Sequence, residues 1–198
     1  SACLVGSGDV YKRQVTIDNN TGYVVAIVGG RDQDFNSYTL NRAFQSHRQP
    51  GSSIKPLIVY TPAFERGYDP NTIVDDHKFE GGPSNATNTY AGKIPLRYAV
   101  AKSLNTVAWQ VYEQVTPKVG LQYLKNMNFS SIVKDDYTLA TSLGGFTKGV
   151  SPLEMASAYA ALENDGMFRQ PNCIKSIVDA DENVVYSSQM AEVSIYEK

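Results

Sequence analysis

Two stretches with strand-like patterning, one near each end of the chain, constrain the fold most strongly. Near the start, residues 15–17 alternate between apolar and polar, residues 19–22 are typical of a turn, and residues 23–28 are apolar and β-branched. Near the end, two short apolar runs flank a polar turn, at residues 174–178 and 184–186. Both patterns predict β-hairpins. Because the patterns between them are helical, we expect an α/β domain of the α+β type, in which an antiparallel sheet packs with helices.

Helical patterns occupy much of the chain between the hairpins. The first should run from about residue 52 to residue 66 and be mostly buried beside the first hairpin, because residues 54–59, apart from Lys55, form an apolar run. Pro62 removes a backbone donor inside this helix and should kink it. Three further helical patterns follow along the chain, at residues 95–102, 107–115 and 117–127.

The clearest helix start is Ser151-Pro152-Leu153-Glu154, a capping box with proline at the first helical position. That helix should end at Gly166. Residues 69–92 form a long stretch without periodicity, and structureless loops of that length are uncommon unless they serve a site. The end of the chain, from residue 189, does not have the pattern of a packed segment.

Length, charge and composition exclude several classes of function. The chain has 198 residues and is 42% hydrophobic, so one domain of this size can bury about 70% of its unfolded surface. We expect that domain to span residues 14–198, after a flexible or non-native tail at residues 1–13. The formal net charge of −2 argues against a nucleic-acid partner. No apolar run approaches the roughly 18 residues of a membrane span. No Cys or His cluster has metal-ligand spacing, so neither a metal nor a cofactor is expected.

The segment from residue 48 to residue 56 carries the most specific chemical signal. It places Ser52 and Lys55 three residues apart, on one face if the segment is helical. A serine hydroxyl becomes a good nucleophile when a base takes its proton, and a neutral lysine amine one turn away can do so. Burial lowers the pKa of a lysine, and the apolar neighbours such as Ile54 predict an enclosed amine. Gly51, immediately before the serine, lets the backbone come close to a substrate.

The same Ser-x-x-Lys spacing occurs a second time, at Ser131 and Lys134. On its own this spacing is typical of an ordinary helix start. The first copy is distinguished by Gly51 and by Pro56, which lies in the first helical turn where a missing N–H costs little. The second copy has neither feature and lies beside two aspartates. We therefore predict that Ser52 is the nucleophile and that the second pair is a loop remote from the site.

A second polar motif, Ser103-Leu104-Asn105-Thr106, lies between two helical patterns. Polar residues in that place are typical either of an exposed elbow that faces a site or of a simple helix boundary, and the sequence leaves both open. If the elbow faces the site, Ser103 and Asn105 should lie within a few ångströms of Ser52 and Lys55. A proton relay requires hydrogen-bond reach, about 2.6–3.2 Å.

Taken in order, these motifs resemble the transpeptidase domain of class A penicillin-binding proteins. The resemblance covers about residues 15–186 and rests on four segments, residues 17–30, 48–56, 101–106 and 142–156. It implies a β-lactamase/transpeptidase-like fold and the cross-linking of peptidoglycan stem peptides on the extracytoplasmic face of the bacterial cell membrane. It also implies that β-lactams bind by imitating the acyl donor. The membrane would be reached only through an anchor that is not in this chain.

The resemblance also implies a role for each motif residue. Ser52 would be acylated by the D-Ala-D-Ala end of a stem peptide, and Lys55 would be its base. Ser103 would relay protons toward the leaving amine, and Asn105 would hold the substrate backbone or Lys55. Substrate contacts are expected from two further residues, Gly51 and Thr106.

One motif of that family, Lys-Thr-Gly or Lys-Ser-Gly, is not found; the order at Thr147-Lys148-Gly149 is different. In the family that motif follows the second hairpin, and its strand supplies an oxyanion donor and binds the substrate carboxylate. We therefore expect the chain to be part of a transpeptidase domain, with an incomplete sheet and poor activity alone, because losing one oxyanion donor costs roughly 10²–10³ in rate.

Two other classes share these motifs and stay open at this point. A serine β-lactamase would hydrolyse the acyl-enzyme, but Leu104 stands where those enzymes commonly have aspartate, and no glutamate is obviously placed to activate water. A penicillin-recognising sensor, or a catalytically inactive structural module, would keep Ser52 but need no site for an acceptor strand.

Overall fold

The computed structural model describes residues 2–4, 14–30 and 40–197. Within them the chain forms helices and antiparallel strands, as the predicted fold class requires. The α-helices are α1 (Thr61–Phe64), α2 (Leu96–Lys102), α3 (Asn105–Val115), α4 (Pro117–Asn126) and α5 (Pro152–Glu163). The strands are β1 (Ala2–Leu4), β2 (Gln14–Asp18), β3 (Val24–Val28), β4 (Ile73–Asp76), β5 (Gly92–Pro95), β6 (Met167–Arg169), β7 (Ser176–Val178), β8 (Val184–Ser187) and β9 (Glu192–Ser194). No helix in the described ranges is both long and apolar enough to cross a bilayer.

The chain divides into two compact units, a division that the sequence analysis did not predict. Unit 1 comprises residues 1–47, 127–129 and 150–198, and unit 2 comprises residues 48–126 and 130–149. Because the chain passes back and forth between the units, no single linker marks the division. A boundary of this kind leaves no local signal in composition.

Unit 1 contains both hairpins, and both are confirmed. β2 pairs antiparallel with β3, with Val15 opposite Ile27, and β7 pairs antiparallel with β8. Val15 and Ile17 are buried on one face of β2 and pack on Ala156 and Ala160 of α5. Alternation with period two puts these β2 side chains on the same face, and that face forms the core of unit 1.

Helix α5 begins as predicted. The Ser151 hydroxyl accepts a hydrogen bond from the Glu154 amide at 3.2 Å, and the Glu154 carboxylate accepts one from the Ser151 amide at 2.7 Å. These reciprocal bonds satisfy two of the donors that a helix leaves unpaired at its start. The helix ends at Glu163, before Gly166 with its φ of 82°.

Two parts of unit 1 differ from the predictions. β1 pairs with β2 inside the stretch expected to be a tail, with Ala2 opposite Asp18; residues 5–13 of that stretch lie outside the described residues. The end of the chain was expected to lack packing, but β9 pairs with β6, and Ile195 and Tyr196 are buried. Three-residue strands are too short for alternation to identify them.

In unit 2, the predicted first helix is a helical run that changes form twice. It opens as a 3-10 turn over Gly51–Ile54, widens to π-helical turns over Pro56–Tyr60 and ends as α1. The π turns end at Tyr60 and Pro62 lies in the first turn of α1, where a missing N–H costs little; the kink expected at Pro62 stays a prediction. Just before it, the Thr61 amide bonds to the carbonyl of Pro56, five residues back.

The buried face of this run packs on helices of its own unit. Its fully buried residues Leu57, Ile58 and Val59 belong to the π turns, which pack on α3 and α4. The expected position beside the first hairpin concerns the other unit and stays a prediction.

The stretch predicted to be without structure, residues 69–92, contains β4 and the start of β5. These strands pair antiparallel, with Asp76 opposite Gly92. The connection between them, residues 77–91, is called the Asn85 loop below. The interruption between the next two helices is confirmed: α2 ends at Lys102 and α3 begins at Asn105.

Candidate active site

Lys55 is a buried cation at the junction of the 3-10 and π turns. Its side chain is 2% exposed. Its Nζ donates to the Ser103 carbonyl at 2.8 Å, to Asn105 Oδ1 at 2.8 Å, and lies 3.2 Å from Ser103 Oγ. Ser103 and Asn105, which lie 48 and 50 positions after Lys55 in the sequence, therefore surround this amine. Three of the predicted site residues, Lys55, Ser103 and Asn105, form one cluster.

Burial lowers the pKa of Lys55 from its usual 10.5 to about 8. The neighbouring groups can bind a neutral amine, which has two protons to donate and one lone pair, as well as an ammonium. The Ser103 carbonyl and Asn105 Oδ1 can only accept, so they take the two protons. The Ser103 hydroxyl can donate as well as accept, so it can face the lone pair. Burial therefore favours an amine that can serve as a base near neutral pH.

Ser52 lies in the 3-10 turn and is exposed. Within the described residues, no hydrogen bond joins the Ser52 hydroxyl to Lys55, Ser103 or Asn105, and the close approach of Ser52 to these groups stays a prediction. Ser52 and Lys55 lie three residues apart in this helical run.

The turn that carries Ser52 depends on a glycine. Gly51 has φ = 58°, a left-handed conformation that glycine adopts without steric cost. A Cβ on Gly51 would meet nothing within 4 Å, so the backbone conformation, rather than crowding by the protein, requires glycine there. The turn is braced by another segment, since a Cβ on Gly144 would lie 2.3 Å from the Gly51 nitrogen. Beside it, the Gln49 side chain donates to the Phe146 carbonyl at 3.2 Å.

The elbow between α2 and α3 presents Ser103 and Asn105 to Lys55. Ser103 is exposed and has φ = 53°, so the chain reverses direction sharply at the end of α2. The first amides of α3 have no acceptor inside the helix. Asn85 Oδ1 supplies the missing acceptor. It accepts hydrogen bonds from the Asn105 amide at 2.8 Å and from the Thr106 amide at 3.3 Å.

Asn85 is in turn held by a buried carboxylate. Its Nδ2 donates to Asp76 Oδ1 at 2.7 Å, and Asp76 also accepts from the Thr106 hydroxyl and from the Ala91 amide at 2.8 Å. Burial raises the pKa of Asp76, but the hydrogen bonds from Thr106, Asn85 and Ala91 outweigh it and hold the pKa below its usual value. The sequence analysis missed both residues; the signal for them was the length of the stretch from residue 69 to residue 92.

Thr106 corrects one prediction. It was expected to contact the substrate, but its side chain is fully buried and its hydroxyl donates to Asp76. A buried hydroxyl with a charged partner is not available to a ligand. The second residue of that prediction, Gly51, borders open space and stays a prediction.

The second serine–lysine pair has a different environment. Lys134 is exposed and begins a short 3-10 turn, Lys134–Asp136. The buried group of this segment is Asp136, which accepts from the amides of Val133 at 2.8 Å and Thr147 at 2.7 Å. Neither Ser131 nor Lys134 belongs to the hydrogen-bonded cluster around Lys55.

Comparison with known proteins identifies the family. The family model described as the penicillin binding protein transpeptidase domain matches residues 14–198. This chain belongs to that family. It is 35% identical over 182 residues to penicillin-binding protein 4 of Bacillus subtilis, a match that covers 90% of this chain and 29% of the relative. It is 32% identical over 193 residues to penicillin-binding protein 1A of Pseudomonas aeruginosa, covering 93% of this chain and 23% of the relative.

A solved structure confirms the predicted β-lactamase/transpeptidase-like fold. Penicillin-binding protein 1A from Haemophilus influenzae matches with a TM-score of 0.76 and 28% identity, over 91% of this chain and 27% of that chain. The chain thus spans less than a third of the length of these relatives.

Proposed function

We propose that this chain belongs to an enzyme that cross-links peptidoglycan through a serine acyl-enzyme. Its acyl donor would be the D-Ala-D-Ala end of a stem peptide, and β-lactams would be pseudosubstrates. The enzyme would act at the extracytoplasmic face of the bacterial cell membrane. The observation that carries this proposal is the buried Lys55 amine, held between Ser103 and Asn105 one helical turn from the exposed Ser52. Membership of the transpeptidase family supports it.

In the acylation step, Ser52 Oγ attacks the carbonyl carbon between the two D-alanines. Neutral Lys55 takes the Ser52 proton, which requires the flexible amine to turn toward Ser52 when substrate is present. The resulting ammonium has three protons, and the three acceptor atoms on Ser103 and Asn105 match that number. The C–N bond then breaks, and a proton passes through the Ser103 hydroxyl to the departing D-alanine nitrogen.

In the transfer step, the amine of a second stem peptide attacks the acyl-enzyme carbonyl. The new C–N bond forms, the bond to Ser52 Oγ breaks, and Ser52 recovers a proton by the same route. The Ser52 amide lies in the first turn of the helical run, where N–H groups have no intrahelical acceptor, and it suits the role of an oxyanion donor.

The test is the fate of penicillin on the wild-type chain. We expect a lasting covalent adduct by intact-mass measurement, mapped to Ser52 by peptide sequencing, and an acyl-transfer product when a D-Ala-D-Ala donor and an amine acceptor are supplied. An adduct that is rapidly hydrolysed would instead indicate a β-lactamase. Because the chain alone is expected to have poor activity, the same assay is run on a chain extended through a Lys-Thr-Gly strand; an adduct with no transfer to any amine in either would indicate a sensor or an inactive module.

A further inference from the structure

We infer that Asp76 and Asn85 are positioning residues for acylation: together they orient Asn105, and through it the Lys55 amine. Neither touches the reacting atoms, so each acts through another residue. The inference rests on the proposed function, because it assumes that Lys55 serves Ser52 as a base.

The start of α3 has no cap from its own segment. The residue before this helix, Leu104, has no side-chain group that can cap it. A local Ser, Thr, Asp or Asn normally accepts the first amides of a helix. Here Asn85 does so from 20 residues earlier in the chain, through its contacts with the Asn105 and Thr106 amides. The Asn85 loop therefore fixes the backbone that carries Asn105.

The side-chain amide of Asn105 is held in one orientation. Its Nδ2 donates to the Ser84 carbonyl at 2.9 Å, in the same loop. This bond leaves Oδ1 directed at Lys55 Nζ, at 2.8 Å. If the Asn105 amide were flipped, its Nδ2 would face the Lys55 amine and its Oδ1 would face the Ser84 carbonyl. Both hydrogen bonds would then be lost. Asn105 is thus held by the loop at both its main-chain and its side-chain donors.

The buried Asp76 carboxylate orients Asn85. Asp76 is 1% exposed and Asn85 is 4% exposed. Because Nδ2 of Asn85 is drawn to the Asp76 carboxylate, its Oδ1 is the atom left to face α3. Hydrogen bonds to an ionised acceptor are roughly twice as strong as neutral ones. A continuous series of hydrogen bonds therefore runs from Asp76 through Asn85 and Asn105 to Lys55.

The experiment breaks this series and then repairs it. In the wild type, Asn85 Nδ2 lies 2.7 Å from Asp76 Oδ1. Asn85→Asp therefore puts a second carboxylate directly against Asp76. The double variant Asp76→Asn with Asn85→Asp exchanges the partners and restores a donor between the positions. It leaves two contacts unmet: the Asn85 donation to the Thr89 carbonyl, and the Thr106 hydroxyl's donation to the Asp76 oxygen that becomes an amide nitrogen. Acylation by a fluorescent penicillin is followed over a range of concentrations, which separates the limiting acylation rate from the apparent dissociation constant.

We expect Asn85→Asp to lower the limiting acylation rate about 10²-fold, since a displacement of about 1 Å can cost that much, with little change in the dissociation constant. The exchanged pair should recover about tenfold of this loss. The matched control is Asp75→Asn, which removes the neighbouring, exposed carboxylate of β4 and should acylate at the wild-type rate. If Asn85→Asp does not fold, Asp76→Asn alone is measured instead and should slow acylation about tenfold.

The outcomes separate this inference from the function on which it rests. If the wild type is labelled at Ser52 and the Asn85→Asp or Asp76→Asn variant acylates at the wild-type rate, the positioning role is overturned and the function stands. A slow Asn85→Asp variant with no recovery in the exchanged pair also overturns it. If the wild type is not labelled at Ser52, the proposed function itself fails, and this inference with it.

Discussion

The two serine–lysine pairs of this chain have the same spacing and opposite surroundings. Lys55 is 2% exposed and its amine is held by acceptors from the α2–α3 elbow, whereas Lys134 is exposed. In the second segment the buried ionisable group is a carboxylate, Asp136, and its partners are main-chain amides. The comparison teaches that the spacing alone does not enclose a lysine; residues distant in the sequence do so.

The segment that contains Asp136 also supports the turn that carries Ser52. Through the Thr147 amide, Asp136 holds residues 144–149, the stretch that braces the backbone at Gly51. One pair therefore carries the proposed chemistry, and the loop around the other supports the turn on which that chemistry depends. Four predictions test this difference, and each has a matched control in one of the two segments.

The largest effect is expected from Ser52→Ala. Without its hydroxyl no acyl bond forms, so labelling by a fluorescent penicillin should fall by more than about 10³-fold. Ser131→Ala should label like the wild type. Gel fluorescence and intact mass measure both variants, and loss of label in Ser131→Ala with retention in Ser52→Ala would reverse the assignment of the nucleophile.

The next effect is expected from Lys55→Met, which keeps most of the buried volume but removes the base. Acylation at neutral pH should slow by about 10²–10⁴-fold, the usual contribution of general acid–base catalysis. The exposed counterpart, Lys134→Met, should stay within about twofold of the wild type. Equal slowing in the two variants would contradict the distinction between the lysines.

The third prediction concerns pH. The neutral amine is the active form, and burial lowers the pKa of Lys55 to about 8. The neutral fraction therefore grows as the pH rises, so the acylation rate should increase about tenfold per unit below pH 8 and level off above it. Stopped-flow acylation between pH 6 and about 10 measures this profile, and Lys134→Met should share its midpoint. A midpoint near the ordinary lysine value of 10.5 would show that the amine is solvated.

The smallest effect on the chemistry is expected from Asp136→Asn. An amide in place of the carboxylate turns a donor toward the Val133 or Thr147 amide, which should lower the free energy of unfolding by about 1–3 kcal/mol. The folded fraction should still acylate at close to the wild-type rate. Urea denaturation measures the loss, with the exposed neighbour Asp135→Asn as the control. An unchanged unfolding free energy would show that these amide contacts are not stabilising.

Sequence reasoning located the cluster of Lys55, Ser103 and Asn105 because each lies in a compact motif whose chemistry is local. It did not find Asp76 and Asn85, since a four-residue strand and a loop asparagine have no periodicity, and their importance comes from contacts with α3. For the same reason it gave Thr106 a substrate contact: the sequence places this residue beside Asn105 but does not show that its hydroxyl turns inward to Asp76. Patterns identify elements and motifs, whereas the direction of each side chain depends on tertiary partners.

The composition of unit 1 from distant pieces of the chain has a consequence for synthesis on the ribosome. β2 and β3 are translated about 130 residues before α5, the helix that covers Val15 and Ile17. At 5–20 residues per second this interval is roughly 7–25 s, although a hairpin itself forms in about 1–10 μs. An isolated hairpin is marginally stable in water. The rate of translation, rather than any folding step of the hairpin, therefore sets how long Val15 and Ile17 lack the covering helix α5.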